Sequence, residues 1–359
     1  MAMKEILALR QQLHKNAELS GCETKTKEIL KEFLIKHTNL EIIDRGNWFY
    51  AKKEGHGGHK IAFRADFDAV AAKDGGAKHI CGHDGHSSIL AGSAMALSKE
   101  ELKDTVYFIF QHGEENGTGG KECSQLILEE GIEEVYGLHN IPGFPKNSIL
   151  VRDNTFACAS VGMTIHFEGK LSHAAYPEAG RNPGAATGAV LTMAEQVLSE
   201  KGYTGMILCT PICVELGEPA FGVSASDSRI MFTIRAHYEK DLNRLKDRLE
   251  AYSREQALKY GLLVSFSYQE GFPDTVNFDS CVERVRLAAK IAGLSIVEVE
   301  EPFRWSEDFG YYLKETKGAF FGIGDGETYP QLHTENYEFP DDILDTGINM
   351  FSSILKVQK

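Results

Sequence analysis

Four short segments of this chain gather side chains that can hold a metal ion. Cys81-Gly-His-Asp-Gly-His86 places a thiol and two imidazoles, Cys81, His83 and His86, within six residues, and its glycines let the backbone aim several donors at one point. Gln111-His-Gly-Glu-Glu-Asn-Gly-Thr-Gly-Gly120 adds two adjacent carboxylates, Glu114 and Glu115. Leu138-His-Asn140 contributes His139, and Leu332-His-Thr334 contributes His333 after the glycine-rich Gly322-Ile-Gly-Asp-Gly326. Each is ordinary alone, since a single histidine at a strand end is usually a packing or surface residue. Sulfur, nitrogen and oxygen ligands from four loops of one α/β domain, taken together, fit a metal site at the carboxyl edge of a sheet.

The familiar single-metal and nucleophile patterns are missing. There is no His-Glu-x-x-His helix, no paired Cys-x-x-Cys ribbon, no Gly-x-Ser-x-Gly elbow and no Gly-x-x-x-x-Gly-Lys-Ser/Thr loop. A dinuclear hydrolase site is the economical alternative, because two cations together polarise a carbonyl oxygen and acidify a shared water. Adjacent residues of an extended segment point opposite ways, so one glutamate of the pair can bind metal while its neighbour moves the proton.

The elements that must position these groups read as α/β. From Trp48 to Val151, apolar runs at Lys60–Arg64, Thr105–Phe110 and Val135–Leu138 alternate with helical patterns at His86–Lys99 and Gly119–Glu130, which predicts a mainly parallel sheet. Between residues 160 and 271 the order changes to strand, helix, strand, strand, helix, strand, the βαββαβ pattern of a ferredoxin-like sandwich. Asn182-Pro183 opens its first helix, and Leu242, Leu245 and Leu249 line one face of its second. The α/β rhythm then resumes. The expected division is a catalytic metal-binding domain at 1–159 and 272–359, with an inserted lid or dimerisation domain at 160–271.

Composition narrows the function. The 359 residues are 42% hydrophobic and 25% charged, enough apolar content for two domains with cores that need no metal staple. A net charge of −14, from 38 basic and 52 acidic residues, argues against nucleic acid and anionic membranes as partners. The segment Met1–Asn16 has the pattern of an amphipathic helix and not of a signal peptide, and no apolar run is long enough to span a bilayer. Seven irregularly spaced cysteines imply no disulfide framework, so the expected location is a reducing cytoplasm.

The ordered motifs Leu9-Arg-Gln-Gln-Leu-His14, Arg64-Ala-Asp-Phe-Asp68, Cys81–His86, Glu114-Glu115, Gly137-Leu-His139, His173-Ala-Ala-Tyr-Pro177, Glu307-Asp-Phe309 and Leu332-His-Thr334 resemble the M20 metallopeptidase family. The likeness is greatest to its amidohydrolase branch, which acts on N-acyl amino acids, hippurate-like amides and auxin conjugates. The resemblance implies that Cys81 bridges two metal ions and that His83, Glu115, His139 and His333 complete their shells. It further implies that Glu114 is the general base, that Asp68 orients a ligating histidine, and that the chain dimerises through the inserted domain. In relatives that dimerise this way, the residue matching His173 reaches the partner's active site and stabilises the oxyanion. Arg235 matches a residue that binds the substrate's carboxylate, through the bidentate fork that suits that group.

The chain also departs from the pattern. His112-Gly113 replaces the usual Pro-Ala before the glutamates, adding an imidazole near the metals. Gly222 and Ala225 stand where relatives have the Asn and Pro of Asn-Val-Ile-Pro, although Arg235 is kept. The expected function is a metal-dependent amidohydrolase acting on N-acyl amino acids or related small amides. A dipeptidase or aminopeptidase of the same fold is the alternative, followed by a non-catalytic ligand-binding relative. A mixed Cys/His/Glu set accepts Mn²⁺ or Zn²⁺ foremost, and Co²⁺ or Ni²⁺ as well.

Overall fold

The computed structural model describes residues 2–73 and 75–357. The contacts divide the chain into two compact units. The first runs to Phe156 and resumes over Thr275–Pro302 and from Glu307 onward; the second comprises Ala157–Asp274 and Phe303–Ser306.

The first unit is built on a mixed sheet. Among the described residues its strand order is Glu41–Asp44, Phe49–Lys53, Thr105–Gln111, Lys60–Asp66, Glu134–Pro142, Lys317–Gly326, Ile149–Val151, Ile296–Glu298. The four central strands, from Thr105–Gln111 to Lys317–Gly326, are mutually parallel. Pairing turns antiparallel toward the edges, where Glu41–Asp44 and Phe49–Lys53 form a hairpin and Ile149–Val151 runs against Lys317–Gly326. The expectation of a mainly parallel sheet therefore holds for the four central strands and for the edge pair Ile149–Val151 with Ile296–Glu298, while the other pairings are antiparallel. A four-residue connection such as Arg45–Trp48, closed by the Arg45 N–H to Trp48 carbonyl bond of 2.9 Å, returns the chain antiparallel.

Covered on both faces, Thr105–Gln111 is buried at every position, which accounts for its continuous apolar run. Phe63, Phe321 and Phe351 meet inside this core. The N-terminal helix Ala2–Lys15 buries Ile6, Leu9 and Leu13 as one stripe. Helix Thr24–His37 buries Ile29, Leu30, Phe33 and Leu34, an apolar stripe at helical spacing. The reading of one helix over Gly119–Glu130 is corrected to two short ones, Gly119–Cys123 and Gln125–Glu130, parted at Ser124.

The second unit has one four-stranded antiparallel sheet in the order Ile207–Leu216, Asp227–Ala236, Ala159–Glu168, Leu263–Phe272. Helices Gly184–Gln196 and Glu239–Tyr260 supply Val190, Leu245 and Leu249 to its core. Alternate residues Ser228, Ile230, Phe232, Ile234 and Ala236 are buried, the period expected of a sheet with one covered face. Asn182 Oδ1 accepts the Gly184 N–H at 2.8 Å at the head of the first helix. Among the described residues no helix is long and apolar enough to cross a membrane.

Candidate metal centre

Strand Glu134–Pro142, the start of helix His83–Leu97 and the loops carrying Cys81, Glu115 and His333 bring five of the expected residues together in the first unit. Cys81, His83 and His139 offer ligand atoms within 4.8 Å of one another, and so do Cys81, Glu115 and His333. Cys81 belongs to both groups. It ends a loop at Gly82, whose left-handed backbone (φ 101°) starts helix His83–Leu97 and whose missing side chain makes room for the Asn140 amide. His333 also has a left-handed backbone (φ 60°), rare for a residue with a side chain, and is tied by its N–H to the Ile80 carbonyl at 2.8 Å. That link sets His333 Nε2 3.4 Å from Glu115 Oε1.

His83 and His139 are each oriented by the second ring nitrogen. His83 Nδ1 lies 3.0 Å from Asp68 Oδ1 and 3.1 Å from the Asp68 carbonyl, so it carries the proton. Its buried Nε2 has no hydrogen-bond partner and stands 3.7 Å from Glu115 Oε1 and 4.0 Å from Glu114 Oε2. His139 Nδ1 donates to the Asn140 carbonyl at 2.7 Å, which directs Nε2 toward Cys81 Sγ at 3.5 Å. Burial, with His86 and His83 nearby, pushes the His139 pKa well down and keeps it neutral. Burial disfavours charge on His83, yet Asp66 and Asp68 outweigh it and hold its pKa well above the ordinary value.

The glutamate pair differs from its extended reading. Residues 114–117 form a turn entered through Gly113 (φ 56°) and closed by the Gly117 N–H to Glu114 carbonyl bond of 2.8 Å. Both carboxylates consequently approach His83, not opposite sides of a strand. Burial drives the Glu114 pKa well up, reinforced by Glu307, Asp308, Glu115 and Asp66. Burial raises the Cys81 thiol likewise, and Glu115 and Glu114 add to it. The extra imidazole of His112 joins none of these ligand groups and faces Glu122 at 3.4 Å.

Other residues complete the setting. Asp68 Oδ2 accepts the Ser20 hydroxyl at 2.6 Å and the Glu115 N–H at 2.9 Å. His86 is held between Asp66 Oδ1 (2.7 Å) and Asn140 Oδ1 (2.6 Å) and serves as a brace. The supporting roles of Arg64, Gln111 and Asn140 were not anticipated. A charged residue following the apolar run Ile61-Ala-Phe63 inside a fully buried stretch of strand Lys60–Asp66 was the available signal for Arg64.

His173 and Arg235 belong to the second unit. His173 is exposed on the short strand Ser172–His173, which pairs with Val223–Ser224, and its Nδ1 accepts the Ala175 N–H at 3.0 Å. Arg235 is half-buried and donates to the Arg304 carbonyl (3.3 Å) and the Ser306 hydroxyl (3.0 Å).

The donor set fits divalent cations. A thiol, imidazole nitrogens already oriented from behind, and a buried, unpartnered Glu115 Oε1 converge in a pocket rich in carboxylates. An α/β fold with such a cluster at the ends of its strands defines a metal-dependent hydrolase. The chain belongs to peptidase family M20/M25/M40, whose model matches residues 62–357, and is a metal-dependent amidohydrolase or peptidase of that family. It is 27% identical to N-acetyldiaminopimelate deacetylase of Shouchella clausii, over 100% of both chains. It is 25% identical to N-acetylcysteine deacetylase of Bacillus subtilis, over 97% of this chain and 95% of that one. The fold is shared with the YXEP protein of Bacillus subtilis, a dinuclear metal-binding M20 peptidase, at a TM-score of 0.83 and 23% identity, covering 99% of this chain and 97% of the other.

Proposed function

We propose that this chain hydrolyses the amide bond of N-acyl amino acids or related small amides. The observation that carries the reading is the place of Cys81 in two ligand groups, with Glu114 outside both and 4.0 Å from His83 of the first. Cys81, His83 and His139 would hold one divalent cation, and Cys81, Glu115 and His333 a second. Mn²⁺ or Zn²⁺ fits this set foremost, with Co²⁺ and Ni²⁺ as further candidates. Ions bound there supply Lewis-acid polarisation of the substrate carbonyl and a more acidic water.

Glu114 is the proton carrier. Its Oε1 is held by the Asp308 N–H at 3.3 Å, so Oε2 takes a proton from the attacking water and returns it to the departing amine. The two deacetylases similar to this chain, named for N-acetylated amino acids, support an acyl-amino-acid substrate. Arg235, a half-buried guanidinium, would bind the carboxylate of that substrate.

Residues 160–271 are read as a ferredoxin-like lid through which two copies pair, with His173 stabilising the oxyanion in the partner's site. The exposed Ile212, Val214 and Leu216 on edge strand Ile207–Leu216 support that pairing, since an apolar edge strand invites a partner. All seven cysteines are unpaired, in keeping with a cytoplasmic location. Gly222 and Ala225 favour a second reading, a dipeptidase or aminopeptidase of the same fold.

The test is a panel of N-acetyl and N-benzoyl amino acids against dipeptides, run on Mn²⁺-loaded wild type and Glu114→Ala. Acyl amino acids should turn over fastest, and Glu114→Ala should keep its metal while losing most turnover. A preference for dipeptides would establish the second reading, and turnover retained by Glu114→Ala would remove the proposed base.

A further inference from the structure

Beneath the glutamate turn lies a buried charge system that the reaction above does not use. Arg64 is fully enclosed, and its guanidinium reaches Asp66 Oδ2 (2.7 Å), Asp308 Oδ1 (2.5 Å), Glu307 Oε1 (3.0 Å) and Gln111 Oε1 (2.8 Å). Asp308 is gripped from further sides, by Gln111 Nε2 at 2.8 and 2.9 Å and by the Gly120 N–H at 2.6 Å. With both carboxylate oxygens fixed, Asp308 has one orientation, and its own N–H meets Glu114 Oε1 at 3.3 Å.

The same guanidinium leads in the other direction to the imidazoles. Asp66 Oδ1 meets His86 Nδ1 at 2.7 Å, His86 Nε2 meets Asn140 Oδ1 at 2.6 Å, and the Asn140 carbonyl receives His139 Nδ1 at 2.7 Å. A continuous chain of short contacts thus joins the proton carrier to a metal-capable histidine, with Arg64 at its centre. Buried ion networks of this kind contribute little net stability compared with well-packed apolar residues, so their use lies in fixed geometry. Lysine could supply the charge at position 64 but not the planar fork that spans Asp66 and Asp308 together.

We propose that Arg64 is a positioning residue that, through Asp308, holds the Glu114 carboxylate at the distance from the metal ligands that proton transfer requires. The inference rests on Glu114 being the base. Gly120 is part of the device: a side chain there would stand 2.5 Å from the Asp308 carbonyl oxygen, 2.7 Å from its Cγ and 2.9 Å from its Oδ1, pushing Asp308 aside while every ligand and every charge is kept.

The experiment compares Mn²⁺-loaded Arg64→Lys, Asp308→Asn and Gly120→Ala with wild type, each alone and on a Glu114→Gln background. Metal per chain, thermal unfolding, kcat and KM are read for every variant. Each single variant should keep its metal and cooperative unfolding, keep KM, and lose kcat by about a hundredfold, the scale of a misplacement near 1 Å. On the Glu114→Gln background the same changes should have almost no further effect, because they act through Glu114. Gly120→Ala and Asp308→Asn decide the matter if Arg64→Lys does not fold. Losses that persist in full on an inactive Glu114→Gln background, that track lost metal, or that fail to occur would overturn the role of Arg64 alone. Full turnover by Glu114→Gln itself would overturn the base, and the positioning role with it.

Discussion

Asp68 and His83 are joined twice, by the aspartate's carboxylate at 3.0 Å and by its carbonyl at 3.1 Å, while the other carboxylate oxygen holds the Glu115 N–H at 2.9 Å. One fully buried aspartate therefore orients a member of each ligand group.

Asp68→Ala should weaken both groups at once, by the roughly 10–100-fold in metal affinity that loss of a hydrogen-bonded brace costs. Titration of the chelator-stripped variant with Mn²⁺, followed by calorimetry, measures this. Unchanged affinity would mean that packing alone orients His83.

Metal removal should lower stability without unfolding the chain, because neither core depends on the cluster. Ligand linkage gives about 2.7 kcal/mol when free metal is a hundred times Kd. The unfolding temperature should fall on chelation and recover as Mn²⁺ is restored; loss of cooperative unfolding in the stripped chain would contradict this.

The position where relatives carry asparagine has room for it. A Cβ at Gly222 would meet nothing within 4 Å. Gly222→Asn should raise kcat/KM on an N-acetyl amino acid about tenfold relative to its carboxamide-capped analogue, the worth of one charge-assisted hydrogen bond. An unchanged ratio would show that the substrate carboxylate is not read at this position.

Asp44 ties helix Thr24–His37 to the edge hairpin. Lys31 Nζ at 2.6 Å, then the Gly46 N–H and Lys27, hold its pKa down to about 2. A depressed carboxylate stabilises the fold above its unfolded pKa, and that contribution is lost as pH falls from about 4 toward 2. The pair is solvent-exposed, so Asp44→Asn should cost no more than about 1 kcal/mol near neutrality. Denaturant melts at pH 7 and pH 2.5 should show the difference between variant and wild type shrinking in acid; a constant difference would assign it to packing.

Ligand identity was legible because it depends on residue type and short spacing. Cys81-Gly-His83 and the Glu114-Glu115 pair stand in the chain as they stand in the site, and the apolar stripe of Ile6, Leu9 and Leu13 announced its helix. Helix Thr24–His37 was legible too, since Ile29, Leu30, Phe33 and Leu34 recur at helical spacing, although no side-chain cap marks its start. The antiparallel edges escaped notice because a short strand such as Ile149–Val151 carries no mark of its direction.

Position in space was decided elsewhere. That Cys81 serves two groups, that the glutamate turn presents both carboxylates to His83, and that Arg64 reaches Asp308 across 244 positions of sequence are consequences of how the strands are ordered in the sheet. Strand order follows from which buried faces cover one another, a balance of many weak contacts over the whole core that no local spacing encodes.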